Sequence, residues 1–153
     1  FMTTFAEREL SKATLDDKEI TAVQWTDPET VLAEARTDKM WLAPPQVFEL
    51  TRFSKYKTFD ELRRACEGRR PAGIDTWMPL FYNCSDGFLS VLPGDELYPD
   101  SPDFHGERPG PEQFKVTMEE VNKMHPRANR LAIYSKNNIK VFSNIPDEEM
   151  VLQ

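Results

Sequence analysis

Phe1, Thr3 and Phe5 alternate with Met2 and Thr4, which predicts a strand over residues 1–7. A polar stretch, residues 11–18, separates it from a second predicted strand at 20–25, with Ile20, Val23 and Trp25 as core candidates. Asp27-Pro28 then supplies an N-cap followed by proline at the first helical position. Val31, Leu32 and Ala35 mark the inner side of the helix that follows. Residues 38–46 form a connector that ends at Pro44-Pro45, because the residue before a proline avoids the helical region. Pro45 opens a helix over 46–56 with Val47, Leu50 and Phe53 inward. Thr58 and Glu61 form a capping box for a third helix, with Phe59, Leu62, Ala65 and Cys66 at helical spacing and Gly68 as its stop.

Beyond a loop at 69–75, the pattern turns to strands. Residues 76–83 and 88–92 read as a hairpin around Ser85-Asp86-Gly87. Pro93-Gly94 begins a turn, and the proline-rich residues 98–112 read as irregular. Thr117 and Glu120 form another capping box, for a short helix to about His125. Residues 131–143 alternate around Asn137-Asn138, a type I′ hairpin signal. The acidic tail reads as frayed. Mixed helices and strands of this kind give an α/β (α+β) class. A chain that opens inside a strand also suggests missing sequence in front of it.

The length, 153 residues, suffices for a domain with a real core. A net charge of −7 argues against a nucleic-acid partner, and no apolar run reaches transmembrane length. Arg63, Arg64, Arg69 and Arg70 cluster, which reads as a solvated helix end rather than a phosphate site. Cys66 and Cys84 fit neither a zinc site nor a redox pair, consistent with a reducing intracellular compartment.

Candidate chemistry is sparse. Trp41-Leu42-Ala43-Pro44-Pro45-Gln46 offers a flat, stiff apolar surface with an amide at a helix start. Trp41, Pro44, Pro45 and Gln46 are therefore candidates for holding a base or an acyl chain; the alternative is a stiff connector that packs its tryptophan on the sheet. Asp95 and Glu96 pair carboxylates after a glycine turn, which reads as acid/base chemistry or simply as a turn. His105 and His125 have no partner at catalytic spacing.

Val23-Gln24-Trp25, the 41–46 segment, Trp77-Met78-Pro79, Ser85-Asp86-Gly87, Leu92 to Tyr98 and Asp103-Phe104 together resemble the acyl-coenzyme A diphosphatase branch of the Nudix hydrolases. The resemblance covers nearly all of this chain but only the second half of such an enzyme. It implies a partial Nudix α/β/α sandwich at 1–38, lacking the Nudix box, and a family-specific α+β extension at 39–153. It implies hydrolysis of the diphosphate of coenzyme A or acyl-coenzyme A with Mg²⁺ or Mn²⁺, in a peroxisome or, alternatively, a mitochondrion. The ending Val151-Leu152-Gln153 is no Ser-Lys-Leu type signal. The resemblance makes Glu19 a candidate extra metal ligand or base. The box itself, ending Arg-Glu-x-x-Glu-Glu-x-Gly, has no counterpart here: Glu119-Glu120 and Glu148-Glu149 lack its lead and its glycine. The chain is thus expected to hold no metal, to be inactive alone, and to need its own N-terminal Nudix half. The competing reading is a non-catalytic module that binds coenzyme A, a nucleotide or a protein.

Overall fold

The computed structural model describes residues 18, 23–73, 77–107, 110 and 113–144. The strand read at 1–7, the first half of the strand read at 20–25, Glu19 and the acidic tail lie outside them.

Three helices come first: α1 (Pro28–Arg36), α2 (Pro44–Phe53) and α3 (Phe59–Arg69), the last followed by a 3₁₀ turn, Arg70–Ala72. Strands β1 (Leu80–Cys84) and β2 (Gly87–Val91) form a hairpin, helix α4 (Met118–Met124) follows, and β3 (Asn129–Ser135) and β4 (Asn138–Ser143) complete the sheet. The four strands are antiparallel in sequence order, so the chain meanders. The fold is α+β, with helices on both faces of the sheet.

Local chemistry sets the helix starts. Asp27 accepts from the Thr30 amide at 2.9 Å with Pro28 just inside. Thr58 and Glu61, and likewise Thr117 and Glu120, form reciprocal capping boxes. At the other end of α1, Asp38 adopts φ +61° and the Lys39 amide donates back to the Glu34 carbonyl. This is a left-handed cap carried by aspartate, one of the few non-glycine residues that tolerates it.

Strand alternation divides the core. On one face Leu131 and Ile133 meet Phe48 from α2, with Trp77, Phe88, Ile139 and Val141 around them. On the other, Leu89, Val91 and Ala132 meet Met118 and Val121 from α4, and Tyr98. Full burial of each such aliphatic side chain contributes roughly 1.5–3 kcal/mol. Gly87 sits where a Cβ would come within 2.5 Å of the Ile133 carbonyl oxygen and 2.8 Å of Met118 Cε, so only glycine lets β2, β3 and α4 close together here.

Several expectations are corrected. Val23 and Trp25 are 49% and 59% exposed in irregular backbone. Alternation alone makes no strand without a neighbour to take its backbone hydrogen bonds. Helix α2 begins at Pro44 and ends at Phe53, and buries Phe48 and Arg52; Val47, Leu50 and Phe53 are only half-buried. The helix is rotated because the Phe48 ring fits between Trp77 and the sheet, with the Arg52 guanidinium 5.8 Å from its centre. Helix α3 runs through Gly68 to Arg69 and buries none of its residues; Phe59 is 54% exposed. Strand β1 starts at Leu80, with residues 77–79 in irregular backbone; Thr76 lies outside the described residues. The β3–β4 link is Lys136-Asn137, closed by Ser135 opposite Asn138. Neither linking residue has positive φ, so the turn is not type I′; an irregularity in register between Ile133 and Ser135 absorbs the difference.

Candidate functional site

The paired carboxylates at 95 and 96 part company in the fold. Asp95 is buried against the equally buried Arg130. Its Oδ2 accepts from Arg130 Nε at 2.6 Å and from the Asn129 amide at 2.7 Å; its Oδ1 accepts from Arg130 Nη2 at 2.7 Å and from the Leu97 amide at 2.9 Å. Arg130 also donates to Asn122 Oδ1 and to the Arg127 carbonyl. Every lone pair of Asp95 is thus committed to holding the turn after β2 against the start of β3. Such a carboxylate has no open face for a substrate or a metal. Glu96 points elsewhere, to His125 Nδ1 at 2.9 Å.

Other fingerprint segments also serve closure. Asp86 accepts from the Met118 amide at 2.8 Å, tying the β1–β2 turn to the start of α4. Tyr82 and Tyr98 donate their hydroxyls to the Leu97 and Met78 carbonyls. Burial pushes the Cys84 thiol up, and the nearby Asp86 charge adds to this, so Cys84 is kept protonated rather than activated. Arg63, in the arginine cluster, pairs with Asp60 and Glu67 on the exposed face of α3, as expected of a solvated helix.

A groove of about 550 Å³ lies between α1, α2 and the β3–β4 hairpin. Leu32 and Ala35 line it from α1, Leu42 from the connector, Val47 and Thr51 from α2, and Ile139 and Val141 from β4. Thr51 donates its hydroxyl to the Val47 carbonyl at 2.7 Å, so that wall presents little free polarity. Arg36 and Lys136, both exposed, stand at the rim. Lys140 is also adjacent, but its ammonium lies 5.3 Å from the Tyr134 ring centre, toward the α4 side of the sheet.

The structure places the sequence candidates beside this groove rather than in it. Trp41 is 56% exposed, so it does not pack on the sheet as the connector alternative required. Pro44 and Pro45 form the first turn of α2, and Gln46 Oε1 accepts from the Ala43 amide at 2.9 Å. Their flanking neighbours, Leu42 and Val47, are the ones that enter the groove. Glu19 lies outside the described residues. Among the described residues, no three of His, Cys, Asp and Glu come together in a way that could hold a metal ion. Sequence reasoning missed Arg130 and the basic rim. Arg130 had a signal, since a charged residue inside the apolar run from Ala128 to Ile133 must be paired to be buried. The rim had none, because its residues are a hundred positions apart.

Residues 81–144 match the NUDT19 C-terminal domain. The chain is 32% identical over 130 residues to the acyl-coenzyme A diphosphatase NUDT19 of Gallus gallus, covering 85% of this chain and 34% of that protein. It is 35% identical over 118 residues to the Xenopus laevis protein of the same name, covering 77% of this chain and 31% of the relative. To the Homo sapiens protein of that name it is 30% identical over 121 residues, covering 79% and 32%. The chain therefore spans about a third of the length of the curated relatives it matches. No solved structure matches it. Among the described residues, no helix is long and apolar enough to cross a membrane.

Proposed function

We propose that this chain, whose residues 81–144 match the NUDT19 C-terminal domain, is the C-terminal portion of a Nudix hydrolase that cleaves the diphosphate of coenzyme A and acyl-coenzyme A. In this reading it supplies fold and substrate-pocket wall rather than the metal site. The observation that carries it is the 30–35% identity to three acyl-coenzyme A diphosphatases over most of this chain. The short share of those relatives leaves room for an N-terminal Nudix half, which would hold Mg²⁺ or Mn²⁺. Residues 1–38 would be the end of that Nudix domain, with Glu19 as an added ligand or base. Residues 39–153 would be the extension, with Trp41, Pro44, Pro45 and Gln46 forming part of the wall. The site of action would be the peroxisome or, alternatively, the mitochondrion.

The role of this chain follows from its own residues. Asp95 and Arg130 fix the sheet, and the sheet with α2 fixes the connector that bears Trp41. A stiff Trp-Pro-Pro surface presents apolar area at little entropic cost. A basic rim beside it suits a polyanionic substrate. The test is turnover: the protein extended to its relatives' length should cleave coenzyme A in the presence of Mg²⁺, whereas residues 1–153 alone should not. Turnover by residues 1–153 alone would overturn the division of labour, and a metal-loaded, folded long form with no cleavage would overturn the activity.

The groove is built wholly from this chain, which favours a second reading in which residues 1–153 bind coenzyme A without chemistry. Calorimetry of the isolated chain with coenzyme A in the absence of metal separates the two.

A further inference from the structure

We propose that the outer edge of β4, with the groove beside it, is the seat of an extended strand supplied by the portion of the polypeptide that precedes Phe1. The proposal rests on the reading just given, that this chain is the C-terminal part of a longer protein, and says where the two parts meet. Strand β4 closes one end of the sheet, and among the described residues no strand pairs with its far side. The Asn129 carbonyl accepts from the Leu92 amide at 2.9 Å and the Asn129 amide donates to Asp95, so both backbone groups turn away from Ser143 opposite. Bonded and non-bonded pairs alternate along an antiparallel ladder. Lys140 and Phe142 therefore bond to β3, while Ile139, Val141 and Ser143 hold their N–H and C=O groups outward. The strand contains no proline and Lys140 is its one charge, so little guards this edge. The opposite edge differs: the Phe114 amide donates to the Asn83 carbonyl at 2.8 Å and the Ser85 amide to the Val116 carbonyl at 3.0 Å, which covers part of β1.

The side chains of Ile139 and Val141 line the groove together with Leu32, Leu42 and Val47. A strand laid along β4 would send every second side chain into this aliphatic cavity of about 550 Å³. An open edge that gives main-chain bonds, beside a pocket for alternate side chains, is how a sheet takes up an added strand. Arg36 and Lys136 line the groove and no Asp or Glu does, which favours carboxylates on the incoming strand. Charge alone would admit any anion; the row of outward backbone groups narrows the occupant to a polypeptide. Two facts name its source. The family domain that residues 81–144 match is a C-terminal one, and the chain covers only 31–34% of its relatives, so most of the remaining length precedes it. Helix α1 is the first described helix and also a wall of the groove, so chain arriving from upstream enters beside the seat. Tethering gives such a segment a high effective concentration over any competitor in solution.

The test is amide exchange on the long form of the protein, read residue by residue along β4. Lys140 and Phe142 are the internal standard, because their bonds to β3 hold whether or not the seat is filled. Ile139 and Val141 should exchange within about tenfold of those two; on a bare edge they would exchange about 100-fold faster or more. Carbodiimide, which joins an ammonium directly to a carboxylate, should link Lys136 to an Asp or Glu upstream of Phe1 within one polypeptide. The paired change Arg36→Glu with Lys136→Glu, on exposed side chains, should speed Ile139 and Val141 about tenfold or more and leave Lys140 and Phe142 unchanged. Val47→Asp, which sets a charge on the groove floor, should do the same. Fast exchange at Ile139 and Val141 in the unaltered long form overturns the proposal. So does protection that lapses on dilution, or a Lys136 link that joins two copies, since either makes the edge an interface between copies. Protection that survives both the charge reversal and Val47→Asp overturns it as well; if Val47→Asp does not fold, the charge-reversed protein decides. Slow exchange in a protein that never cleaves coenzyme A would sink the diphosphatase reading alone; cleavage with Ile139 and Val141 exchanging freely would sink only the strand seat.

Discussion

Replacing Asp95 with alanine should be among the most damaging single changes in the chain. The side chains of Asp95 and Arg130 are both fully buried, and four hydrogen bonds end on the one carboxylate. Asp95→Ala strands the guanidinium: Nη1 and Nη2 keep Asn122 and the Arg127 carbonyl at 3.3 and 3.2 Å, but Nε loses its acceptor. The Leu97 and Asn129 amides lose theirs as well. Removing one member of a buried pair costs about 3–5 kcal/mol. With a urea slope of about 2 kcal/mol per molar, a loss of about 4 kcal/mol lowers the unfolding midpoint by about 2 M. Removing the stranded charge should then recover stability, because a buried methionine in place of arginine leaves no ion behind. The expected order is wild type, then Asp95→Ala with Arg130→Met, then Asp95→Ala alone, read by urea unfolding followed by tryptophan fluorescence. If the double variant is less stable than Asp95→Ala, or if Asp95→Ala costs under about 1 kcal/mol, the pair is not the clasp described above.

Three further outcomes follow from particular contacts. Gly87→Ala should cost about 2–3 kcal/mol in the same unfolding assay, since its Cβ would overlap a backbone oxygen at a φ of +149° that alanine resists. Glu120 is held below the usual carboxylate range first by the Thr117 amide and then by the Thr117 hydroxyl, which lie 2.9 and 2.8 Å away. Its folded value therefore lies below its unfolded value near 4.5, so its support of α4 is complete above that pH and fades as pH falls through the folded value; protection of the Thr117 amide against exchange, relative to its intrinsic rate, should fall only on that acid side. Trp41→Ala should leave the unfolding free energy within about 0.5 kcal/mol of wild type, because the ring is exposed, while raising the KM for coenzyme A in the long form of the protein.

What the sequence disclosed was the chemistry that acts within one helical turn. Asp27 with Thr30, Thr58 with Glu61 and Thr117 with Glu120 each meet three positions apart, so spacing alone reveals them. The Ser85-Asp86-Gly87 turn was equally local, though its second role, holding the amide of Met118, was not. The inner face of α2 was misjudged because Val47, Leu50 and Phe53 match a helical period as well as Phe48 does; Trp77 and the sheet decide between them. Asp95 looked like half of an acidic pair because its partner stands 35 positions on. The groove could not be read at all, since its walls come from residues 32 to 51 and 136 to 142, and only the sheet brings those stretches together.

Helix α3 carries a different consequence. It has a full capping box and two ion pairs along its exposed side, yet none of its residues is fully buried; Leu62, Ala65 and Cys66 are only half-buried. Eleven residues held by such local contacts hover near the balance between helix and coil. This segment can therefore melt and re-form many times while the sheet stays shut. Proteases would find their first foothold there, and substitutions would accumulate there with least penalty to the rest of the molecule.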